Sequence, residues 1–258
     1  MPADAPALVL PATGLPPEVG GLMSTRRGGV SRAPFDSLNL RPAGLRGDAV
    51  DDPASIHENQ RRYAARLEGA QPVWLDQVHG AQVARLTPQD LLPGRPFFQA
   101  DAAITTARGV ACTVLVADCL PVLLAAPGGR AVGAAHAGWR GLAGGVVEAT
   151  LAALCEAADC TAAEVSAWIG ACIGPAAFEV GDEVREAFGV AASSAFRPGA
   201  QPGKWWADLP ALARQRLQRA GALRIEGGTW CTVSDPLRFY SYRRDHRTGR
   251  HAASIWIR

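Results

Sequence analysis

Asp101-Ala-Ala-Ile-Thr-Thr-Ala-Arg-Gly-Val110-Ala-Cys-Thr-Val-Leu-Val-Ala-Asp-Cys-Leu120-Pro-Val-Leu-Leu-Ala-Ala-Pro-Gly-Gly-Arg130-Ala-Val-Gly-Ala-Ala135 decides the fold class. Apolar runs succeed one another at 101–105, 110–117, 121–126 and 130–135, and none of the gaps between them is long enough for a helix. Short apolar runs bounded by Gly, Pro and Asp read as buried strands. Parallel neighbours in a doubly wound sheet need a helical crossover between them. Consecutive strands without one predict mixed sheets with helices packed outside, an α+β arrangement.

Outward from this stretch, further strands are expected near 73–78, 82–86, 165–171, 222–226, 238–242 and 252–257. Asp52 with Pro53 predicts a helix to about Leu67, ahead of Gly69. Leu142, Val146, Thr150 and Leu154 recur at helical spacing and predict a helix over 141–157. Asp208 caps a third through Leu217 to Ala220, stopped by Gly221, and a shorter one covers Asp182–Phe188. Residues 1–19, rich in Pro and Ala, read as an N-terminal arm or edge strand, and 20–258 as a single catalytic domain. Pro93–Pro96 and Arg197–Gly203 read as surface loops.

The chain has 258 residues, 48% of them hydrophobic, enough for a substantial core. A net charge of +2 sets up no field for nucleic acid. Lys204 is the only lysine, so the basic charge is almost all guanidinium, which suits bidentate grip on phosphate or carboxylate. The six cysteines at 112, 119, 155, 160, 172 and 231 are scattered and form no disulfide framework. No signal peptide and no membrane-length apolar run is evident. The expectation is a cytoplasmic protein, a monomer or weak homo-oligomer, acting on a small molecule without nucleic-acid or membrane partners.

Chemistry concentrates at three strand ends. His79 closes Val73–Val78, Cys119 follows Val110–Ala117, and His136 follows Arg130–Ala135 and opens His136-Ala-Gly-Trp-Arg-Gly141. Two imidazoles and a thiol brought to one sheet edge can hold a catalytic zinc with its fourth position open. Read without a metal, Cys119 is a small buried hydrophobe or a nucleophile with a histidine base. The third group, His79, favours the metal.

Thr25-Arg-Arg-Gly-Gly-Val-Ser31, Ser37-Leu-Asn-Leu40, Gln77-Val-His-Gly80, Ala100-Asp-Ala-Ala-Ile-Thr105, Ala117-Asp-Cys-Leu-Pro121, His136–Gly141, Gly170–Pro175 with Phe178-Glu-Val-Gly181, and Ser241-Tyr-Arg-Arg244 with Thr248-Gly-Arg250 occur in this order. The succession resembles the bacterial purine nucleoside phosphorylase family once described as multicopper polyphenol oxidases, or laccase-domain proteins. Some of its members are called peptidoglycan editing factors. The resemblance runs from about Gly20 to the C-terminus. It implies a four-layer α/β/β/α sandwich shared with the catalytic domain of cytotoxic necrotizing factor toxins, and His79, Cys119 and His136 as zinc ligands. It further implies phosphorolysis of adenosine, inosine, guanosine and methylthioadenosine, together with adenosine deamination by metal-activated water. An amidohydrolase editing cell-wall precursor peptides, through zinc-water or a Cys–His pair, is the alternative. A blue-copper centre alone takes two histidines and a cysteine. Five histidines are too few for that centre plus a histidine-rich copper cluster, so laccase chemistry is rejected.

Phosphorolysis requires an anion site. Arg26 beside Gly28-Gly29 and Arg140 at a helix start are the candidates, since helix N-termini and guanidinium groups both attract phosphate. Asn39 is expected on a ribose hydroxyl or capping a turn, and Tyr242 or Arg243 in the pocket wall. Asp118 either holds a ligand histidine from behind or anchors the fold, because neighbours along a strand face opposite ways. Glu179 is an acid/base candidate or an ion-pair partner.

Overall fold

The computed structural model describes residues 8–45 and 50–258. Two mixed sheets form its centre, with strands numbered along the chain. The five-stranded sheet has the order β1 (Val9–Pro11), β2 (Val19–Ser24), β14 (His251–Ile257), β6 (Val110–Val116), β3 (Gln71–Val73). The six-stranded sheet has the order β13 (Arg224–Gly227), β9 (Ser166–Ile169), β7 (Leu120–Ala125), β8 (Val132–Ala137), β5 (Ala102–Thr105), β4 (Val83–Arg85).

Alternation of side chains along each strand builds the layers. Val110, Cys112, Val114 and Val116 of β6 meet Ala253, Ile255 and Ile257 of β14 and Leu123, Ala125, Val132 and Ala134 of the facing sheet in one apolar layer. The intervening residues Ala111, Leu115, Ala252 and Trp256 point outward to Tyr63 of α1 (Pro53–Ala64). On the far side, Leu120, Val122, Leu124, Ala135 and Ala137 pack against α2 (Trp139–Ala143), α3 (Val146–Ala158), α4 (Asp182–Phe188) and α5 (Leu209–Arg219). Three apolar layers therefore separate four layers of elements: helix, sheet, sheet, helix. This is the α+β arrangement, with the layering that the resemblance implied. A small antiparallel sheet, β10 (Glu179–Gly181), β12 (Lys204–Ala207), β11 (Phe196–Pro198), was not foreseen.

Two expectations are corrected. The helix over 141–157 is two helices, because Gly145 takes φ +90 between α2 and α3. Residues 238–242 form no strand. The Phe239 N–H turns back to the Asp235 carbonyl, Tyr240 N–H donates to His251 Nε2, and the Ser241 hydroxyl caps α6 (Tyr242–Asp245) by accepting from Arg244 N–H. Local side-chain partners have replaced the ladder.

His251 is fully buried, and burial first, then the nearby Arg26 charge, lower its pKa to about 3. The neutral ring is the one the fold accommodates. Its contribution is present above the ordinary histidine value near 6.5 and is lost as pH falls toward 3. The expected result is a stability that declines progressively below about pH 6.5 in urea titrations. His251→Gln should show a shallower decline, and an equal slope in the two proteins would exclude His251 as the source.

Candidate metal centre and active-site cavity

The chain crosses between the two sheets twice at one end of the sandwich. It leaves β3 of the five-stranded sheet and passes His79 to reach β4 of the six-stranded one, and it leaves β6 and passes Asp118-Cys119 to enter β7. β3 and β6 are parallel, so both crossings fall at the same rim. The end of β8 lies there too, since His136 is paired with Pro121 just beyond Cys119. In β8 Ala134 faces the other sheet while Ala135 and Ala137 face the helices, so His136 points into the intersheet space.

The three ligand atoms lie within 4.8 Å of one another, with Cys119 Sγ 3.8 Å from His79 Nε2. Zinc–sulfur and zinc–nitrogen bonds of ordinary length place such atoms about 3.6 Å apart on a tetrahedron. The donors therefore fit one zinc ion. Among the described residues this is the one such group of His, Cys, Asp and Glu. His251 is buried against Tyr240 and His57 lies on α1, and no second histidine cluster for copper is assembled among the described residues.

Asp101, to which no role was assigned from the sequence, holds the ring of His136 and the main chain of His79. Its Oδ1 lies 2.8 Å from His136 Nδ1 and accepts the His79 N–H at 2.9 Å. Its Oδ2 accepts the N–H groups of Val78 at 3.1 Å and Gly80 at 2.7 Å. The carboxylate is fully buried and holds His79 in a left-handed conformation, φ +61. Burial alone would raise its pKa, but His136 and the loop N–H groups hold it below the usual carboxylate range.

Electrostatics run the same way. Burial raises the Cys119 thiol, yet the His136 charge and hydrogen bonds from both rings overcome it and bring the pKa down to about 6. Burial lowers His136, yet Cys119 and Asp101 carry it up to about 9. The thiol is thus prepared as a thiolate, the form that binds metal or attacks carbon.

Gly138 leaves room for the cluster. A Cβ there would sit 2.9 Å from His79 Cδ2 and 3.0 Å from Cys119 Sγ. Gly138→Ala is expected to weaken zinc retention by at least ~10-fold, as a displaced ligand would, while circular dichroism stays native. Unchanged zinc affinity would show that the cluster tolerates the displacement.

A cavity of about 380 Å³ opens over the cluster. Its wall includes His79, Cys119 and His136, three arginines (Arg41, Arg243 and Arg250) and the rings of Trp139, Phe178 and Tyr242. Of the residues expected at the anion site, Arg243 lines it. Arg26 does not: its guanidinium is held by Asp36 and the Pro236 carbonyl and stacks on Tyr240. Arg140 does not either. Exposed on α2, a helix of five residues, it stacks on Trp139 at 4.3 Å. Asn39 is buried behind the wall, where its Oδ1 accepts the N–H groups of Arg41 and Arg250 and so sets two of the three cavity arginines. Arg41 and Arg250 were missed, although Thr248-Gly-Arg250 was one of the motifs quoted.

Asp118 is an anchor. Held at φ +91, it accepts from the hydroxyls of Thr232 and Ser241 and from Arg243 N–H, while its carbonyl accepts from Ile173 N–H. It ties the Ile173 and Tyr242–Arg243 loops of the cavity wall, and the Thr232 loop, to the Cys119 crossing. Glu179 meets Arg243 through its backbone carbonyl at 3.0 Å.

A family model described as multi-copper polyphenol oxidoreductase laccase matches residues 21–258. The chain belongs to this family. It is 51% identical over 245 residues to a protein of Pseudomonas aeruginosa named purine nucleoside phosphorylase, covering 94% of this chain and 95% of that one. It is 44% identical over 254 residues to the purine nucleoside phosphorylase YfiH of Escherichia coli, covering 97% and 98%. The crystal structure of YlmD from Geobacillus stearothermophilus superposes with a TM-score of 0.89 at 30% identity, over 99% of this chain and 98% of that one. A Neisseria meningitidis protein gives 0.88 at 41% identity, over 97% and 99%. No described helix is long and apolar enough to cross a membrane.

Proposed function

We propose that this family member is a zinc-dependent purine nucleoside phosphorylase that also deaminates adenosine, with 20–258 as its catalytic unit. The observation that carries the reading is the single cavity in which His79, Cys119 and His136 face Arg41, Arg243 and Arg250. The names of the relatives support the reaction class. The arginines hold inorganic phosphate by charge-assisted hydrogen bonds. Trp139, Phe178 and Tyr242 offer flat apolar faces to the purine base. His79, Cys119 and His136 would hold zinc, which supplies a Lewis acid and acidifies water at that position. In phosphorolysis a phosphate oxygen bonds to C1′ of the ribose as the bond to the base breaks. All six cysteines are free thiols, which supports action in the reducing cytoplasm.

The test is incubation of pure protein with adenosine, inosine or guanosine and phosphate, with products identified by mass. Free base and ribose 1-phosphate are expected, along with inosine from adenosine. Release of free base from inosine or guanosine that does not depend on phosphate, or no release at all, would remove the phosphorylase reading.

A second reading rests on Cys119, His136 and Asp101, which stand as nucleophile, base and orienting carboxylate. That set suits amide hydrolysis of a cell-wall precursor peptide without a metal. Muramoyl-peptide precursors belong in the same assay.

A further inference from the structure

One carboxylate touches both histidines of the cluster, and it meets both through the same oxygen, Oδ1. Oδ2 accepts two loop N–H groups, Val78 and Gly80, while Oδ1 accepts the His79 N–H and faces His136 Nδ1 at 2.8 Å. Backbone N–H groups only donate. All the partners on the loop therefore demand an acceptor, and an Asp101 that accepts from them presents an acceptor to His136 as well. The ring must answer with its own N–H. A neutral His136 then carries its proton on Nδ1 and turns the lone pair of Nε2 toward Cys119 and His79.

We infer that Asp101 is the positioning residue of this cluster: it sets the tautomer of His136 and the placement of His79 together, so that the two imidazoles are prepared or lost as a unit. The inference rests on the metal reading only for its consequence for zinc. The geometry itself belongs to the protein. Asp101 has no exposed surface and His136 almost none, so water does not substitute for either partner. The main chain reinforces the pair, because His136 N–H donates to the Asp101 carbonyl at 2.7 Å and locks the register of the two side chains.

Asp101→Asn separates positioning from bulk, since the amide has the same shape but one acceptor and one donor end. If the amide oxygen takes the Oδ2 place, the loop keeps two bonds, and the NH₂ donates to His136 Nδ1. The ring proton moves to Nε2 and closes that atom to a metal. If the oxygen takes the Oδ1 place, His136 keeps its tautomer, and the NH₂ opposes the N–H groups of Val78 and Gly80, so the His79 loop is pushed out. Neither arrangement leaves both imidazoles ready.

The experiment measures zinc affinity by competition with a chromophoric chelator, and the His136 ring by nitrogen-15 NMR. Wild type is expected to show a slowly exchanging His136 proton on Nδ1. Asp101→Asn should bind zinc about 10- to 100-fold more weakly, the range for losing a partner that orients a ligand. Either the His136 proton moves to Nε2 or the Val78–Gly80 amides lose exchange protection. Asp51→Asn is the control for general damage, because Asp51 is another buried carboxylate bonded to Ser31 and Asn39 away from the cluster. It should lower thermal stability and leave zinc affinity within about twofold. If Asp101→Asn fails to fold, the wild-type spectrum still decides. A neutral or zinc-bound His136 with its proton on Nε2, or bound through Nδ1, overturns the inference. So does a folded Asp101→Asn that matches wild type in zinc affinity. If wild type takes up no zinc at all, the metal reading falls, while the tautomer of the neutral ring still judges Asp101.

Discussion

Cys119→Ser and His79→Ala are each expected to leave the purified chain without zinc and to cut turnover by ~100-fold or more, beyond the range for losing a mere orienting partner. The three donor atoms lie within 4.8 Å of one another, so under the zinc reading each would be one of three protein ligands beside an open fourth position. A hydroxyl is a poorer zinc ligand than a thiolate, and two remaining ligands hold the ion weakly. Chelation of wild type should inactivate it and added zinc should restore turnover. Bound zinc should also shield Cys119 from alkylation by engaging its sulfur. Under the amidohydrolase reading the same experiments run otherwise. A chelator spares activity, an alkylator abolishes it, and Cys119→Ser retains whatever metal the wild type held. Full activity in the chelated protein, with substrate trapped covalently on Cys119, would establish the Cys119–His136–Asp101 hydrolase and dismiss the zinc enzyme.

Arg250→Ala is expected to raise the apparent KM for phosphate about 10- to 100-fold and to change the KM for nucleoside little, as fits a hydrogen bond to a charged group worth about 1.5–3 kcal/mol. Arg250 is fastened by the carbonyls of Thr248 and Gly249 at 3.0 and 3.1 Å, so its head is fixed before any ligand arrives. Burial, and then the charge of Arg41, lower its pKa below the ordinary arginine value. An anion placed between the two guanidinium groups relieves that repulsion. Arg140→Ala should shift the phosphate KM less than about twofold, because Arg140 is exposed and off the cavity wall. An unchanged phosphate KM in folded Arg250→Ala, or a large rise in Arg140→Ala, would move the anion site.

The contrast between these two arginines shows where sequence reading ran short. Arg140 sits next to the ligand motif along the chain, and a helix start suggested an anion site. In space α2 carries its guanidinium outward over Trp139. Arg250 is 114 positions beyond His136 in the chain. It reaches the cavity because β14, which it immediately precedes, runs antiparallel to β6 and so begins at the rim where β6 ends. Asp101 was hidden for a related reason. Its importance lies in four partners gathered by a loop crossing and a strand pairing, and an Asp before an apolar run looks like any strand-start residue.

What the residues determined by themselves is the α+β class and the chemical inventory. Continuous apolar runs from 101 to 135 have no room for helices, so mixed sheets with helices packed outside follow from local pattern, while the four-layer stacking was what the resemblance implied. His79, Cys119 and His136 were legible as polar groups that each end such a run, and the resemblance implied them as ligands of one zinc. Tertiary structure alone decided which rim they share, which carboxylate stands behind them and which arginines face them. Those are long-range relations, set by strand order and by crossings between sheets, and no short-range pattern encodes the direction in which a side chain meets a partner a hundred residues away.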